Sequence, residues 1–597
     1  MPLRPKFPLV SLLLLALVSL TVAAAAQTTV GIQPFGSYTS GLDQISLADL
    51  GIHIDIPLFS HSARGQGMGT SVHLVYDSGY SDFGGANNTP AYNSVTDLGW
   101  RVTAGTGPLG QIWKTAQGLY NTSPPMYGFI DASGYYHLFN SATDTGSVMA
   151  QDGSAYTMNF STLTVSTPSG LTFNYSSGDA IDANGNQALS SAPTFNPFSG
   201  YSNVVLTDTS GVSATLNGGA YPNQSNPPNW TLRYPITVAY KDTNGDTQTV
   251  TVNYSVYNLS WTCAGSSQTT AKVGLVSSVA YPDGSSYSFT YNASGALETM
   301  TLPTGGIITY QGEGSALENA ACNTLPTTLT RQTPDGTTTY QRTYTSGAVT
   351  SSTSVSKPDE SSESISFAQP TDSLAYPPGW FETAHSWSNS SGTVLRSTYT
   401  CYGGPTISCS SSTFPNPFTQ IATTTTLDTG QTSKIVRLLN ANGLTTEVDE
   451  YDYGATTPTR KTVTAYANLG NNISNRPQSV TVTDGSNNPI AKTTYGYDEY
   501  SMTGLSLVAT TGLPGHGAVT GSRGNMTSQH AWLNTTGGTI DTHLQYDDAG
   551  QVRAAEDGRG NWTKFNYDPA TDSCLNGTTY PTPSSGALIA TSQTCDG

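Results

Sequence analysis

Charge is scarce in this chain. Only 10% of its 597 residues are Asp, Glu, Lys or Arg, and no run of Lys and Arg follows the N-terminus. The 22 basic residues face 40 acidic ones, for a formal charge of −18. A surface of that sign repels phosphate backbones and anionic headgroups, which excludes a general nucleic-acid binder. Helix formers also yield to 61 Gly, 34 Pro and 34 Tyr, so turn formers and aromatic strand formers set the local preferences. No uninterrupted helical stripe appears after residue 30, and the Gly and Pro density would break one. No GxSxG elbow, HExxH helix, phosphate-cradling glycine loop, CxxC pair or Cys-His cluster occurs. The sequence therefore assigns no catalytic, cofactor-binding or metal-ligating residue, and no cofactor is expected.

What is present argues for a folded, exported protein. Hydrophobic residues make up 36% of the chain and aromatics 10%, apolar surface that a disordered tract lacks. Arg4 and Lys6 precede an apolar run from Leu9 to Val22, and Ala24, Ala25 and Ala26 precede Gln27. Residues 1–26 thus read as a cleaved secretory signal, the run being shorter than the ~20 residues that span a bilayer. No later segment has the length and apolarity of a spanning helix, and no Cys near Gln27 invites lipid attachment. A secreted or cell-surface location follows, where disulfides persist. The six cysteines fall in three successive pairs, so the expected bridges are Cys263 with Cys322, Cys401 with Cys409, and Cys574 with Cys595, short loops being the least costly to close.

Strand signals begin early. Apolar and polar residues alternate through Ile52–Ile56 and more weakly through Val72–Tyr76, which places His53 and His73 on polar faces, as solvated side chains rather than metal ligands. From Ile236 to Tyr254 two strand-like runs flank KDTNGD, with Asn244-Gly245 positioned for a type I′ hairpin turn. Asp242, Asn244 and Asp246 also have the first spacing of a calcium loop, but the following Gly and the closing Glu are missing, so a turn is the better reading. Similar turns occur at Asp182–Asn186, Pro282–Gly284 and Pro334–Gly336.

A repeat organises these signals. From Tyr546 the sequence reads YDDAGQVRAAEDGRGNWTKFNYD, and the Tyr-Asp pair recurs after 21 residues at Tyr567-Asp568. Glycine stands 4 and 14 residues after Tyr546 (Gly550, Gly560) and 4 and 14 residues after Tyr291 (Gly295, Gly305). The spacing predicts a hairpin unit in which the tyrosine ends a strand, the first Gly opens a turn and the second precedes the return strand. Phe289 with Tyr291, and Phe565 with Tyr567, then share a face. Stacked hairpins make a sheet with an aromatic column on one side. A lone hairpin is not stable in water, so the unit must repeat.

In these units the chain resembles the rearrangement-hotspot (RHS, or YD-repeat) family. The entry-like stretch Gly41–Gly79, the segment Tyr127–Phe139 and Asp182–Gln187 are similar to that family's upstream regions, and Tyr451-Asp452 and Tyr497-Asp498 read as eroded units. The resemblance implies an all-β fold of stacked β-hairpin repeats forming part of an RHS-like shell, preceded by an N-terminal β-rich region. The division is a signal peptide at 1–26, an N-terminal region at 27–270, YD-like repeats at 271–350, a divergent segment at 351–440 and YD repeats at 441–597. Thr594-Cys595-Asp596-Gly597 reads as the opening of a further repeat, which makes the sequence a fragment. Gln551 and Ala296 stand where the family often has Arg, and Asp568-Pro569, followed by Ala570-Thr571, does not match the self-cleaving core motif.

The resemblance further implies a secreted shell or surface scaffold whose partner is a toxin or cargo domain downstream. A glycan-binding or adhesive module, using Tyr and Trp as sugar platforms, is the alternative. A glycoside hydrolase ranks lower: Glu447, Asp449, Glu450 and Asp452 supply carboxylates, but on a strand they alternate between faces and read as a solvated edge.

Overall fold

The computed structural model describes residues 35–565 apart from 63–67, 79–98, 105–112, 115–125, 132–134, 141–144, 151, 175–178, 191–199, 221–232, 263–266, 313–325, 346–348, 371–379, 404–413, 416 and 511–514. Residues 1–26, the Tyr567-Asp568 pair, the C-terminal residues and every cysteine except Cys401 lie outside them. Cys401 is disulfide-bonded, and its partner falls among the residues not described.

The described residues form strands and no helix. A four-stranded antiparallel sheet comes first: β1 (Asp43–Ile45), β2 (Ile52–His61), β3 (Thr70–Asp77) and β4 (Trp100–Ala104). A three-stranded sheet follows: β5 (Trp113–Lys114), β6 (Met126–Ile130) and β7 (Tyr136–Asn140). From Ser147 to Lys564 the chain then builds one sheet of 30 strands, called the wall below. Each of its strands runs antiparallel to the next in sequence, so the wall is made from consecutive hairpins, as the repeat predicted.

The Tyr-Asp-x-x-Gly spacing is explained by its turn. Asn292 Oδ1 accepts the amides of Ser294 and Ala296, both at 3.0 Å, and Asp547 Oδ1 accepts those of Ala549 and Gln551 at 3.2 and 2.9 Å. The side chain thereby satisfies amides that the turn would otherwise leave open. The residue three after the Asx must take a left-handed conformation, and Gly295 and Gly550 have φ of 89° and 87°. The same device closes Asp242–Asp246, where Asp242 Oδ1 accepts the amides of Asn244 and Asp246 at 2.9 Å each. This corrects the expected type I′ turn: Gly245 is left-handed at 85° but Asn244 is not. A type I′ turn needs both.

Several unit tyrosines sit at an irregularity in the ladder. Register shifts occur at Tyr291, Tyr466, Tyr497 and Tyr546. The hydroxyl then reaches a main-chain carbonyl of a neighbouring strand: Tyr466 donates to Thr445 O at 2.9 Å, Tyr497 to Pro477 O at 2.6 Å and Tyr546 to Met526 O at 2.9 Å. Tyr402 does the same with Glu382 O at 2.9 Å. These acceptors lie 20 or 21 residues upstream, at the start of the strand paired with the tyrosine's own. The turn fixes one end of each hairpin and the tyrosine pins the other.

The wall is wound. Its first and last strands do not pair, and it meets itself through isolated bridges, Ser169 with Ile473 and Asn186 with His516. The strands that follow these partners, Thr172–Asn174 with Pro477–Asp484 and Gln187–Ser190 with Met526–Trp532, are in both cases 21 positions apart in strand order. Successive strands alternate direction, so an odd offset brings opposite edges of the sheet together. The second coil therefore stands on the first, edge to edge. At ~4.8 Å between strands, a turn of this size has a circumference of roughly 100 Å and a diameter of about 30 Å.

One face of the wall carries the main core. Val238, Val252, Leu275, Phe289, Met300, Leu329 and Ile365 pack with Ile45, Ile54, Leu74 and Trp100 of the N-terminal sheet. Anchors run along the same face: His61 Nδ1 meets Asp208 at 2.5 Å, Tyr281 donates to Pro57 O at 2.8 Å, and Trp100 Nε1 donates to the Tyr291 hydroxyl at 2.7 Å. Tyr310 and Arg331 both bond Asp43, Thr353 bonds Leu47 O, and Ser37 bonds Glu382. The segment thus touches wall residues from Asp208 to Glu382, about half a turn. A strand as long as β2 extends only ~33 Å, so a single small sheet reaches that arc only from the concave side. The covered face is the inner one.

Candidate functional site

The acidic cluster does not converge. The strand Thr445–Tyr451 is paired on both sides, so the expected solvated edge is corrected to a position inside the wall. Glu447 and Asp449 share the outer face, and Lys461 Nζ stands 3.1 Å from the first and 3.3 Å from the second. Burial, with Glu447 alongside, raises the Asp449 carboxyl against the pull of Lys461. Glu450 lies on the opposite face, 3.5 Å from Arg460, and Asp452 follows the strand end. Where a glycoside would have to sit between two carboxylates, the Lys461 ammonium sits instead.

The histidines are paired rather than solvated, which corrects the reading of His53 and His73. His53 is 4% exposed, because β2 is covered on both faces, and its Nδ1 meets Asp77 at 2.7 Å. Burial pushes the Asp77 carboxyl up, but Arg101 and His53 outweigh it and hold the group below the usual range. His73 is half-buried with Asp55 at 2.7 Å.

Two further centres carried no sequence signal. His137 is buried with Nδ1 2.6 Å from Asp152 and Nε2 3.2 Å from Asp131, and its ring stacks on Tyr156 at 4.2 Å. Burial opposes its charge, yet the two carboxylates raise its pKa to about 9. His385 lies between Glu363 at 3.1 Å and Glu382 at 3.3 Å and stacks on Trp387 at 3.8 Å. Desolvation again opposes charge, and the carboxylates raise it to about 9. Both rings spend both nitrogens on carboxylates, which makes them fixed cations rather than proton shuttles. Among the described residues, no three His, Cys, Asp or Glu side chains are placed to hold a metal ion, and no helix is long and apolar enough to cross a membrane. At Asp242 both carboxylate oxygens serve the turn, the second accepting Gln248 Nε2 at 2.7 Å, so the calcium-loop spacing is spent on hairpin closure.

The most elaborate polar assembly is the seam between coils. Gln187 N donates to Gly515 O at 2.6 Å and Gly517 N to Gly185 O at 2.8 Å. Asn184 and Asn525 exchange side-chain amide bonds at 3.2 and 2.8 Å. Asn186 Nδ2 reaches Ala549 O at 2.8 Å. His516 Nε2 and Arg523 Nη1 both donate to the carbonyls of Asn184 and Asp548. Farther along, Ser474 N bonds Pro168 O and Asn472 bonds Ser166. Apart from the buried Ile473, the contacts named across the seam are polar, so it holds more by directed bonds than by apolar burial. The turn at Asp182–Asn186 was legible in sequence, but its partners lie more than 300 residues away and carried no local mark.

This arrangement defines an all-β protein of stacked hairpins wound into a wall around an N-terminal sheet. No protein-family profile matches the chain, and no curated protein matches it. Among solved structures, a complex described as TcdB2-TccC3-Cdc42 is similar at 11% identity over 85% of this chain and 23% of that one, with a TM-score of 0.24. A TcdB2-TccC3-TEV structure gives 11%, 86% and 24%, with a TM-score of 0.22. A porin-like protein from Bacteroides uniformis gives 11%, 45% and 89%, with a TM-score of 0.16. The chain spans less than a quarter of the length of the first two, and likenesses this loose carry no inference about function.

Proposed function

We propose that this chain forms the wall of an exported shell or surface scaffold of the YD-repeat type, without a catalytic site of its own. The observation that supports it most directly is the seam, because a sheet whose opposite edges meet after 21 strands encloses a space instead of lying open. The N-terminal sheet fills part of that space. Beyond it the inner face mixes the polar Arg396, Thr398, Thr423, Arg437 and Glu450 with the apolar Ile435 and Val448, all of them half-buried or exposed, as suits a wetted lumen. A toxin or other cargo domain as the enclosed partner belongs to the same reading, and so does export through residues 1–26.

Size-dependent labelling tests it. Thr493 and Thr494 are consecutive on the strand Pro489–Tyr497, the first on the inner face and the second on the outer. As single cysteine variants, both accept a small maleimide, but only Thr494→Cys accepts one carrying a large polymer. Equal polymer labelling at the two positions overturns the enclosed lumen.

A further inference from the structure

We propose that the outer face of the wall carries an open binding site for one divalent transition-metal ion, held by the Nε2 atoms of His530 and His543. The ladder places both rings. His530, on the strand Met526–Trp532, pairs with Thr494 on one side and Asp541 on the other, and His543, on the strand Thr539–Tyr546, pairs with Ser528 and Glu556. Thr494 faces outward, so these side chains do too. The two histidines are diagonal neighbours on adjacent strands, a spacing that long side chains cross. Their rings lie 6.3 Å apart, centre to centre, and stand at 80° to each other.

Each ring is already oriented as a ligand. His530 Nδ1 meets Asp541 at 2.8 Å, and His543 Nδ1 meets Glu556 at 2.6 Å. The bond from His530 holds the Asp541 carboxyl below its usual range, so an ionised acceptor keeps the ring hydrogen on Nδ1. Nε2 is left with its lone pair and, among the described residues, no partner in either ring. Carboxylates that fix histidine ligands in metal sites act in this way. The two side chains are 36% and 20% exposed, so an ion can enter and water can complete its shell. With metal–nitrogen bonds of ~2.0 Å, two rings that share an ion stand about 5 Å apart at a tetrahedral angle and about 6.4 Å apart in line. The observed spacing therefore asks for little movement. Imidazole selects zinc, nickel and copper over calcium and magnesium, with copper(II) the tightest. The chain has eight histidines, but His137 and His385 spend both nitrogens on carboxylates, His516 spends Nε2 on carbonyls, and His53 is buried.

Copper(II) is the probe, added to the untagged, metal-stripped full chain. Titration calorimetry should show one ion bound, and its electron paramagnetic resonance spectrum should be split by two imidazole nitrogens. Asp541→Ala, which removes only the group that orients His530, should weaken binding about tenfold. His530→Gln and His543→Gln, which remove a ligand outright, should each weaken it further. His73→Gln should change nothing, because that histidine has a carboxylate on Nδ1 but no second ring beside it. No copper bound, or a spectrum split by a single nitrogen, overturns the proposal. So does unchanged affinity in His530→Gln or His543→Gln, which would leave the two pairs as cross-strand ion pairs and nothing more. The spectrum is read on the unaltered chain, so it decides the matter even where a variant fails to fold.

Discussion

Replacing Arg523 by Met should loosen the seam while leaving the wall intact. Its Nη1 stands 2.9 Å from Asn184 O and 2.5 Å from Asp548 O, one carbonyl on each coil. A hydrogen bond from a charged donor contributes ~1.5–3 kcal/mol. Both bonds leave one nitrogen, and His516 Nε2 remains on the same carbonyls, so the loss should sit near the lower end, about 2 kcal/mol. Methionine keeps the length of the stem and its packing. Seam opening is a local equilibrium, so the change should appear as faster amide exchange where the coils touch. The amides of Gln187 and Gly517, which donate across the seam, should exchange roughly 30-fold faster, since 1.4 kcal/mol is a factor of ten. Amides of the strand Thr247–Trp261, deep in the first coil, should not change. Equal acceleration in that strand would mean that the seam and wall unfold together. No acceleration at Gln187 and Gly517 would mean that Arg523 does not hold them. Either result refutes the polar-seam account.

The remaining predictions concern pH and one turn. His137 and His385 are raised from 6.5 to about 9, so their contribution is fully present below 6.5 and lost as pH rises through 9. Glu363 is held down to about 2, mainly by His385, so its contribution is present above 4.5 and lost as pH falls toward 2. Thermal unfolding should therefore give a Tm plateau between these limits, with a shallower alkaline decline in His385→Gln; parallel declines would remove the histidine from the account. Gly185→Ala and Gly245→Ala share a left-handed strain of ~1–2 kcal/mol. A Cβ at Gly185 would also stand 2.4 Å from Gly517 O, while Gly245 has open space, so only the first should speed seam exchange. If the two variants match in seam exchange, steric closeness at Gly185 is not what matters.

The sequence by itself determined what short segments decide. An Asx residue followed three positions later by Gly is sufficient to specify the loop at Asn292 or Asp547, because its hydrogen bonds stay within five residues. Those loops at regular spacing dictate consecutive antiparallel hairpins, and so the all-β class. Even there the turn at Asn244-Gly245 was misread, since two residues do not reveal the side-chain cap that lengthens the loop. Only the tertiary structure decided how the hairpins wind. Twist and bulges add over 21 strands before Asn186 meets His516, and no local pattern encodes that sum. Burial of His53 and the carboxylate pairs around His137 and His385 were hidden for the same reason: alternation shows that a face differs from its neighbour, but not that a second layer covers both. The inner and outer faces and the seam are products of that winding.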